Sequence, residues 1–365
     1  MRLEALKIVE QFQTRGTLQN IEPYGSGFIH DTYLAVFISG GVIYRFILQK
    51  FNRSIFKQPP LVMDNIVRVT DHLREKLKST QPDDWQRRTL SPVPASSGFF
   101  YSRDAEGEYW RMYEFIEGGA TFDKLEKPQQ AFEAARAFGS FQAMLADLPA
   151  PRLHETIPDF HNTPKRLRDF QKALETDPLN RAKEAKPEIQ FAIEQESIAP
   201  VLLDLHEKGE IPERVTHNDS KITNVIFDAD SGEGLCVIDL DTVTPGLSLY
   251  DFGDMARSMG CPVLEDEEDL DKVYIHQPLY RHLAGGYLSG AGEALTKTEK
   301  ENLVFGAILI CYEQGLRFLG DYILGDPYYK TKYPGENLRR ARVQFKLTRS
   351  LIENKEELQG IVNIL

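Results

Sequence analysis

The chain has 365 residues, 41% hydrophobic and 27% charged, the composition of an ordinary globular protein and a length suited to two lobes rather than one compact core. Its net charge of −12 excludes a broad basic surface for nucleic acid, although a local site can still be positive enough to hold a polyanion such as ATP. The cysteines Cys236, Cys261 and Cys311 form no CxxC pair, which argues against a disulfide framework or a zinc site and fits small buried side chains in a reducing compartment.

Met1 to Gln13 mixes charge with apolar residues at helical spacing and lacks the long apolar run of a signal peptide. Phe28 to Ser39 is rich in β-branched and aromatic residues. Gly40-Gly41 then makes a hairpin turn, and Val42 to Phe51 alternates with period two. Pro59 to Lys78 reads as a helix, with Ile66, Val69, Leu73 and Leu77 three and four apart. Phe99 to Tyr101 and Glu108 to Ile116 read as strands. Glu117-Gly118-Gly119 breaks the pattern. Beyond it come predicted helices at Pro128 to Asp147, Lys165 to Leu174 and Glu188 to His206, a strand-rich patch at Arg214 to Asp241, and helices from Tyr250 onward. The longest apolar stretch, Leu303 to Tyr312, is shorter than the ~20 residues that cross a bilayer. The expected fold is α+β and two-lobed: a small sheet-plus-helix lobe over residues 1–116 and a larger, mainly helical lobe over 117–365. The expected setting is cytoplasmic, with no nucleic acid and no membrane as partner.

The most specific feature is His217-Asn218-Asp219-Ser220-Lys221-Ile222-Thr223-Asn224, which leads into a strand, Val225 to Phe227. Asp228 to Gly234 is full of turn formers, and a second strand, Leu235 to Ile238, ends at Asp239-Leu240-Asp241. The hairpin brings Asp239 back toward Asn224. The result is a carboxylate near an attacking hydroxyl and oxygen ligands for magnesium close by, as phosphoryl transfer requires. A turn-and-cap role for the same residues is the bland alternative. Asp251-Phe252-Gly253 spells a kinase metal-binding tripeptide, but it heads an apparent helix. Asp251 therefore reads as a helix N-cap or as a brace under the loop, and Asp239 as the better metal ligand.

On these residues the chain resembles the aminoglycoside phosphotransferase and choline kinase superfamily, small-molecule relatives of protein kinases. The resemblance implies a two-lobed kinase-like fold using ATP and Mg2+. It implies Asp219 as catalytic base, Lys221 on the transferring phosphate, His217 bracing the loop, and Asn224, Asp239 and Asp241 at the metals. Gly25-Ser26-Gly27 lies at a strand–turn–strand position and suits a phosphate cover. A Walker A loop is excluded, since no Gly-Lys dipeptide occurs. On the family pattern Gln49 falls at the third-strand lysine position with Lys50 one later. The two cannot share a face in a regular strand; a cation is wanted there, so the preference goes to Lys50, re-aimed by a bulge. Asp64 is the candidate helix acid, or else a solvated first-turn residue. Glu114 and Ile116 are placed to bond the adenine edge.

Further stretches, Ile157-Pro158-Asp159-Phe160-His161, Val237 to Gly246 and Gly315 to Tyr322 among them, look like the N-acetylhexosamine 1-kinase branch. This branch implies transfer to the anomeric hydroxyl of N-acetylglucosamine or N-acetylgalactosamine. Arg317, Tyr328 and Tyr329 suit the sugar, while His30 and His161 read as structural hydrogen-bonding residues. A kinase for another small hydroxyl acceptor (aminoglycoside, choline, homoserine or another sugar) and a non-catalytic nucleotide-binding homologue remain as alternatives.

Overall fold

The structure, a computed structural model, describes residues 2–25, 29–149 and 152–365. Helix α1 (Arg2–Ile8) precedes strands β1 (Thr17–Pro23), β2 (Asp31–Ser39) and β3 (Val42–Lys50). Helix α2 (Pro59–Thr80), β4 (Ser102–Arg103) and β5 (Tyr109–Glu114) follow. The strands form one antiparallel sheet in the order β1-β2-β3-β5-β4. Gly40 and Gly41 both take positive φ, +57° and +82°, the turn that matches strand twist and locks Ser39 opposite Val42. Ala5, Ile8, Phe12, Phe37, Phe46 and Trp110 form a core between α1 and one sheet face.

The opposite face looks toward the rest of the chain. Helix α2 begins with Pro at its first position and buries Val62, Ile66, Val69, Leu73 and Leu77. These side chains belong to the second, larger core, so α2 packs with the second half of the chain as much as with its own sheet.

After the short strand β6 (Gly119–Ala120) come α3 (Pro128–Leu145), α4 (Thr163–Thr176), α5 (Lys186–Glu194) and α6 (Val201–Glu207). The single helix expected over Glu188 to His206 is two: α5 ends at Glu194, a 3-10 turn follows over Glu196–Ile198, and Pro200 stands at the N-cap position of α6. The strand expected at Phe99 to Tyr101 is displaced to β4. Strands β7 (Arg214–Thr216), β8 (Val225–Asp228), β9 (Gly234–Val237) and β10 (Thr244–Gly246) make two small sheets: β6-β8-β9 and β7-β10. Helices α7 (Ser248–Met259), α8 (Gln277–Ala291), α9 (Lys297–Glu301), α10 (Leu303–Leu324), α11 (Glu336–Glu353) and α12 (Lys355–Ile364) complete the chain. The apolar stretch at Leu303 is longer than expected, a helix of 22 residues. By length and composition it would cross a membrane, but here it is mostly buried, packed against α4, α7 and α11.

Candidate active site

The loop at 217–224 is held by its neighbours at every turn. The Asp251 carboxylate accepts from the backbone N–H of His217 at 2.9 Å and of Asn218 at 2.6 Å, and from the Gln142 amide at 2.5 Å. Helix α7 begins three residues earlier, at Ser248, so Asp251 is a brace rather than an N-cap. Phe252 is buried against Tyr280 and Tyr287. Gly253 lets α7 lie on α10: a Cβ there would sit 2.4 Å from Gly306 O. The lookalike tripeptide is thus used for support and packing.

His217 lies between its own loop and the one carrying Asp239. Its Nε2 donates to Ile238 O at 2.9 Å, and its Nδ1 accepts from Asp219 N at 3.3 Å. Ile238 N donates to Asn224 O at 2.9 Å, closing the base of the β8–β9 hairpin. Asn218 and Asp239 both adopt left-handed backbone, φ +66° and +61°, a conformation Asn and Asp tolerate better than other side chains. Asn218 is held there by its amide, which donates to Thr242 O at 2.9 Å.

Asp219 receives Lys221 Nζ at 2.8 Å and the Asn224 amide at 2.9 Å, both on Oδ2. Burial would raise the Asp219 pKa. The Lys221 ammonium and the bonds from Lys221 and Asn224 override it and hold the carboxyl below its ordinary value, so Asp219 is an anion. Lys221 is held above its ordinary value against burial, chiefly by Asp219, then by Asp239 and Asp254. Asp239 goes the other way. Burial, then the charges of Asp241 and Asp219, push its pKa up, only partly offset by Lys221 and His30.

The positive partner facing these acids is one the sequence reading missed. Lys50 points to the outer face, where Nζ lies 3.5 Å from Glu4 and 5.6 Å from the centre of the Trp110 ring. No bulge re-aims it, because β3 pairs with β2 in unbroken register. Gln49 faces inward instead, and its Oε1 accepts from Arg111 Nε at 2.9 Å. Arg111 stands directly opposite Gln49 on β5 and is 2% exposed. It grips Asp241 with both terminal nitrogens, one bond at 2.8 Å, and lies between the rings of Phe51 and Tyr113. Its sequence signal was available: an arginine at an inward position of a strand otherwise apolar on that face.

Asp64 is the other correction. Half-exposed, it bonds His154 at 3.0 Å and lies 3.9 Å from Arg68, on the outer side of α2. Its neighbour Asn65 is the buried one, bonding His154 O and Val243 O. Gly25 takes φ +75° with open space around it, as a turn requires, while Ser26 and Gly27 lie outside the described residues. In the interlobe linker the Glu114 N–H is bonded to Ser91 O at 2.9 Å, and Ile116 is buried with its N–H unbonded among the described residues.

His30, Asp239 and Asp241 bring ligand-type atoms within 4.8 Å of one another. His30 Nδ1 accepts from Asn52 N at 3.1 Å, and its Nε2 lies 2.5 Å from Asp241. Both nitrogens are therefore occupied, and both Asp241 oxygens are held by Arg111. Asp241 thus anchors Arg111 and His30 and is not an open metal ligand. Asp239 is the open member: no hydrogen bond engages its carboxylate among the described residues. Asn224 likewise spends its amide nitrogen on Asp219 and leaves Oδ1 uncommitted. Two hard oxygen donors beside excess negative charge fit Mg2+.

Because its pKa is raised, ionised Asp239 opposes folding above its own pKa. Asp239→Asn is expected to raise the melting temperature of the metal-free protein at neutral pH and to abolish the further rise that added Mg2+ and nucleotide give the wild type. A variant that melts lower than wild type without metal would contradict this.

On α10, Arg317 bonds Gln314 at 3.1 Å and lies near the rings of Phe160 and Tyr329, at 5.5 and 5.7 Å. It has no ion-pair partner among the described residues, so the structural ion-pair alternative does not hold. Tyr329 is half-buried, bonded to Gln314, while Tyr328 is 60% exposed. Asp321 accepts from the backbone N–H of both tyrosines, at 2.9 and 3.0 Å, and so fixes their turn at the end of α10.

Residues 20–285 match the family described as the phosphotransferase enzyme family, well over half of the chain. An aminoglycoside phosphotransferase from Alicyclobacillus acidocaldarius superposes with a TM-score of 0.59 at 13% identity, covering 97% of this chain and 96% of that one. A spectinomycin phosphotransferase solved with ADP and spectinomycin gives 0.56 at 12% identity, covering 98% of each chain. A choline kinase from Cryptosporidium parvum gives 0.54 at 14% identity, covering 94% and 91%. At these identities the likeness is one of fold.

Proposed function

The chain belongs to the phosphotransferase enzyme family, and from that premise we propose that it transfers the terminal phosphoryl group of ATP to the anomeric hydroxyl of an N-acetylhexosamine. The observation that carries the chemistry is the assembly of Asp219, Lys221, Asn224 and Asp239 around one point, with Asp219 ionised and its Oδ1 uncommitted. Residues 1–116 act as the nucleotide lobe, with the turn at Gly25 over the phosphates and the linker at Glu114 and Ile116 beside the adenine. Residues 117–365 carry the chemistry and the acceptor. The free thiols of Cys236, Cys261 and Cys311 suit a reducing, cytoplasmic setting.

Asp219 orients the acceptor hydroxyl and takes its proton as the new O–P bond forms and the bond to the ADP oxygen breaks. Lys221, already beside Asp219, turns its ammonium to the transferring phosphate. Asn224 and Asp239 hold Mg2+, which when bound neutralises phosphate charge. Arg111 makes no such contact here. It cancels the Asp241 charge and fixes the loop carrying Asp239.

The acceptor assignment rests on resemblance and on Arg317, a guanidinium that lies near aromatic rings and feels the Glu313 carboxylate without forming a close ion pair with it. It suits the carbonyl and hydroxyl oxygens of an N-acetyl sugar and disfavours cationic acceptors. Arg317→Ala is expected to raise the acceptor KM by about 10- to 100-fold, as loss of a charged hydrogen bond does, with the KM for ATP unchanged. The deciding experiment is a phosphorylation screen over free sugars with ATP and Mg2+, followed by NMR of the product to locate the phosphate. No activity on either N-acetylhexosamine would exclude the assignment.

A further inference from the structure

The segment between α3 and α4 carries a histidine that the chemistry above does not use. Phe160 turns toward Arg317, and His161 beside it turns toward α10. His161 Nδ1 bonds Glu313 Oε1 at 2.8 Å, and Thr163 donates to the other Glu313 oxygen at 2.5 Å. Burial would raise the Glu313 carboxyl. His161, then Arg317 and Thr163, override it and hold it below its ordinary value. An anionic acceptor on Nδ1 makes that nitrogen a proton donor. Nε2 is buried on a side chain only 8% exposed, and it has no hydrogen-bond partner among the described residues. Protein interiors seldom leave such an atom unpaired.

His161 lines a cavity of about 270 Å³, near the small end of the range for ligand pockets. Tyr250 lines it too, its ring 4.9 Å from His161, and its hydroxyl makes no hydrogen bond among the described residues. Asn218, the residue before Asp219, forms part of the wall, so the cavity abuts the catalytic loop. The rim carries more negative than positive charge: Arg152 pairs with both Glu155 and Glu213, and Asp159 adds a third carboxylate. Such a lining disfavours an anionic ligand.

We propose that this cavity reads acceptor hydroxyls remote from the reacting centre, with His161 Nε2 hydrogen-bonded to a hydroxyl of a neutral, monosaccharide-sized polyol and the Tyr250 hydroxyl supplying the second contact. Glu313 and Thr163 hold the imidazole by its Nδ1 side and leave Nε2 for the ligand. The assignment deepens the N-acetylhexosamine reading and rests on it for the ligand's identity.

His161→Asn tests it, because the Asn amide can stand where Nδ1 stands and keep Glu313 partnered while Nε2 is removed. Tyr250→Phe removes only a hydroxyl. N-acetylglucosamine binding to the full-length protein with ADP and Mg2+ is measured by calorimetry, with ADP affinity and melting temperature as controls and turnover followed in parallel. Each variant is expected to bind the sugar roughly tenfold more weakly, to hold ADP as wild type does, and to raise acceptor KM more than it lowers kcat. Equal sugar affinity in wild type and both variants overturns the proposal, as does a wild type that binds no sugar. Phosphorylation indifferent to both variants would overturn the cavity assignment alone. Sugar bound through His161 but never phosphorylated would overturn the proposed reaction alone.

Discussion

Asp219→Asn is expected to keep ATP binding close to wild type and to lower turnover by about 10²- to 10⁴-fold, the usual cost of losing a positioned base. The amide keeps the shape of the carboxylate and an oxygen for the bonds from Lys221 and Asn224, so the loop should hold its form. What it loses is the negative charge that accepts the proton. Because the Asp219 pKa is held below its ordinary value, its protonation is not what should end activity as the pH falls. The acid limb should follow Asp239, whose pKa is raised and whose ionised form is the proposed ligand of Mg2+. Proton and metal compete for that carboxylate, so raising the Mg2+ concentration should move the acid limb to lower pH. The measurement is kcat against pH at two Mg2+ concentrations. Near-normal kcat in the Asn variant would remove Asp219 from its role.

Arg111→Met is expected to destabilise the protein by roughly 3–5 kcal/mol, the range for breaking one side of a buried ion pair. Asp241 would remain 1% exposed with His30 as its chief partner, an anion without its counter-charge. Adding Asp241→Asn removes that stranded charge and should restore much of the loss, a double-mutant cycle readable in denaturant unfolding. The pH dependence has a definite sign. Burial alone would raise the Asp241 pKa, but Arg111 and His30 depress it well below the ordinary value. Its contribution is therefore complete above the unfolded value of about 3.9 and is lost only as the pH falls below that. A single variant as stable as wild type would mean the pair does not anchor the loop carrying Asp239.

The two corrections at the nucleotide side share a cause. Choosing Lys50 over Gln49 put the need for a cation above the geometry of the strand. A regular strand sends neighbours to opposite faces, and β3 is regular, so Lys50 meets Glu4 and Trp110 outside. The cation came instead from the strand alongside. Asp64 fell to helical phase: Asn65, one residue on, occupies the inward position.

The catalytic loop was legible from sequence because its parts are local. His217, Asp219, Lys221 and Asn224 lie within eight residues, and one hairpin returns the chain to Asp239, closed by the bond from Ile238 to Asn224. Short-range geometry of that kind follows from turn formers and strand period alone. For Asp251 the sequence left an N-cap and a brace both open, and only its bonds from the His217 and Asn218 N–H groups decide for the brace.

What only the tertiary structure decided lies across long separations. Arg111 meets Asp241 over 130 residues, His30 meets Asp241 over 211, and His161 meets Glu313 over 152. No local pattern encodes such pairs, because they arise when two lobes and separate helices dock and their buried charges must find partners. The sequence alone therefore determined the α+β plan and the loop proposed to transfer phosphate. Packing decided which cation neutralises the acids behind that loop, which carboxylate stays open for a metal, and which histidine keeps a ring nitrogen unpartnered beside the cavity.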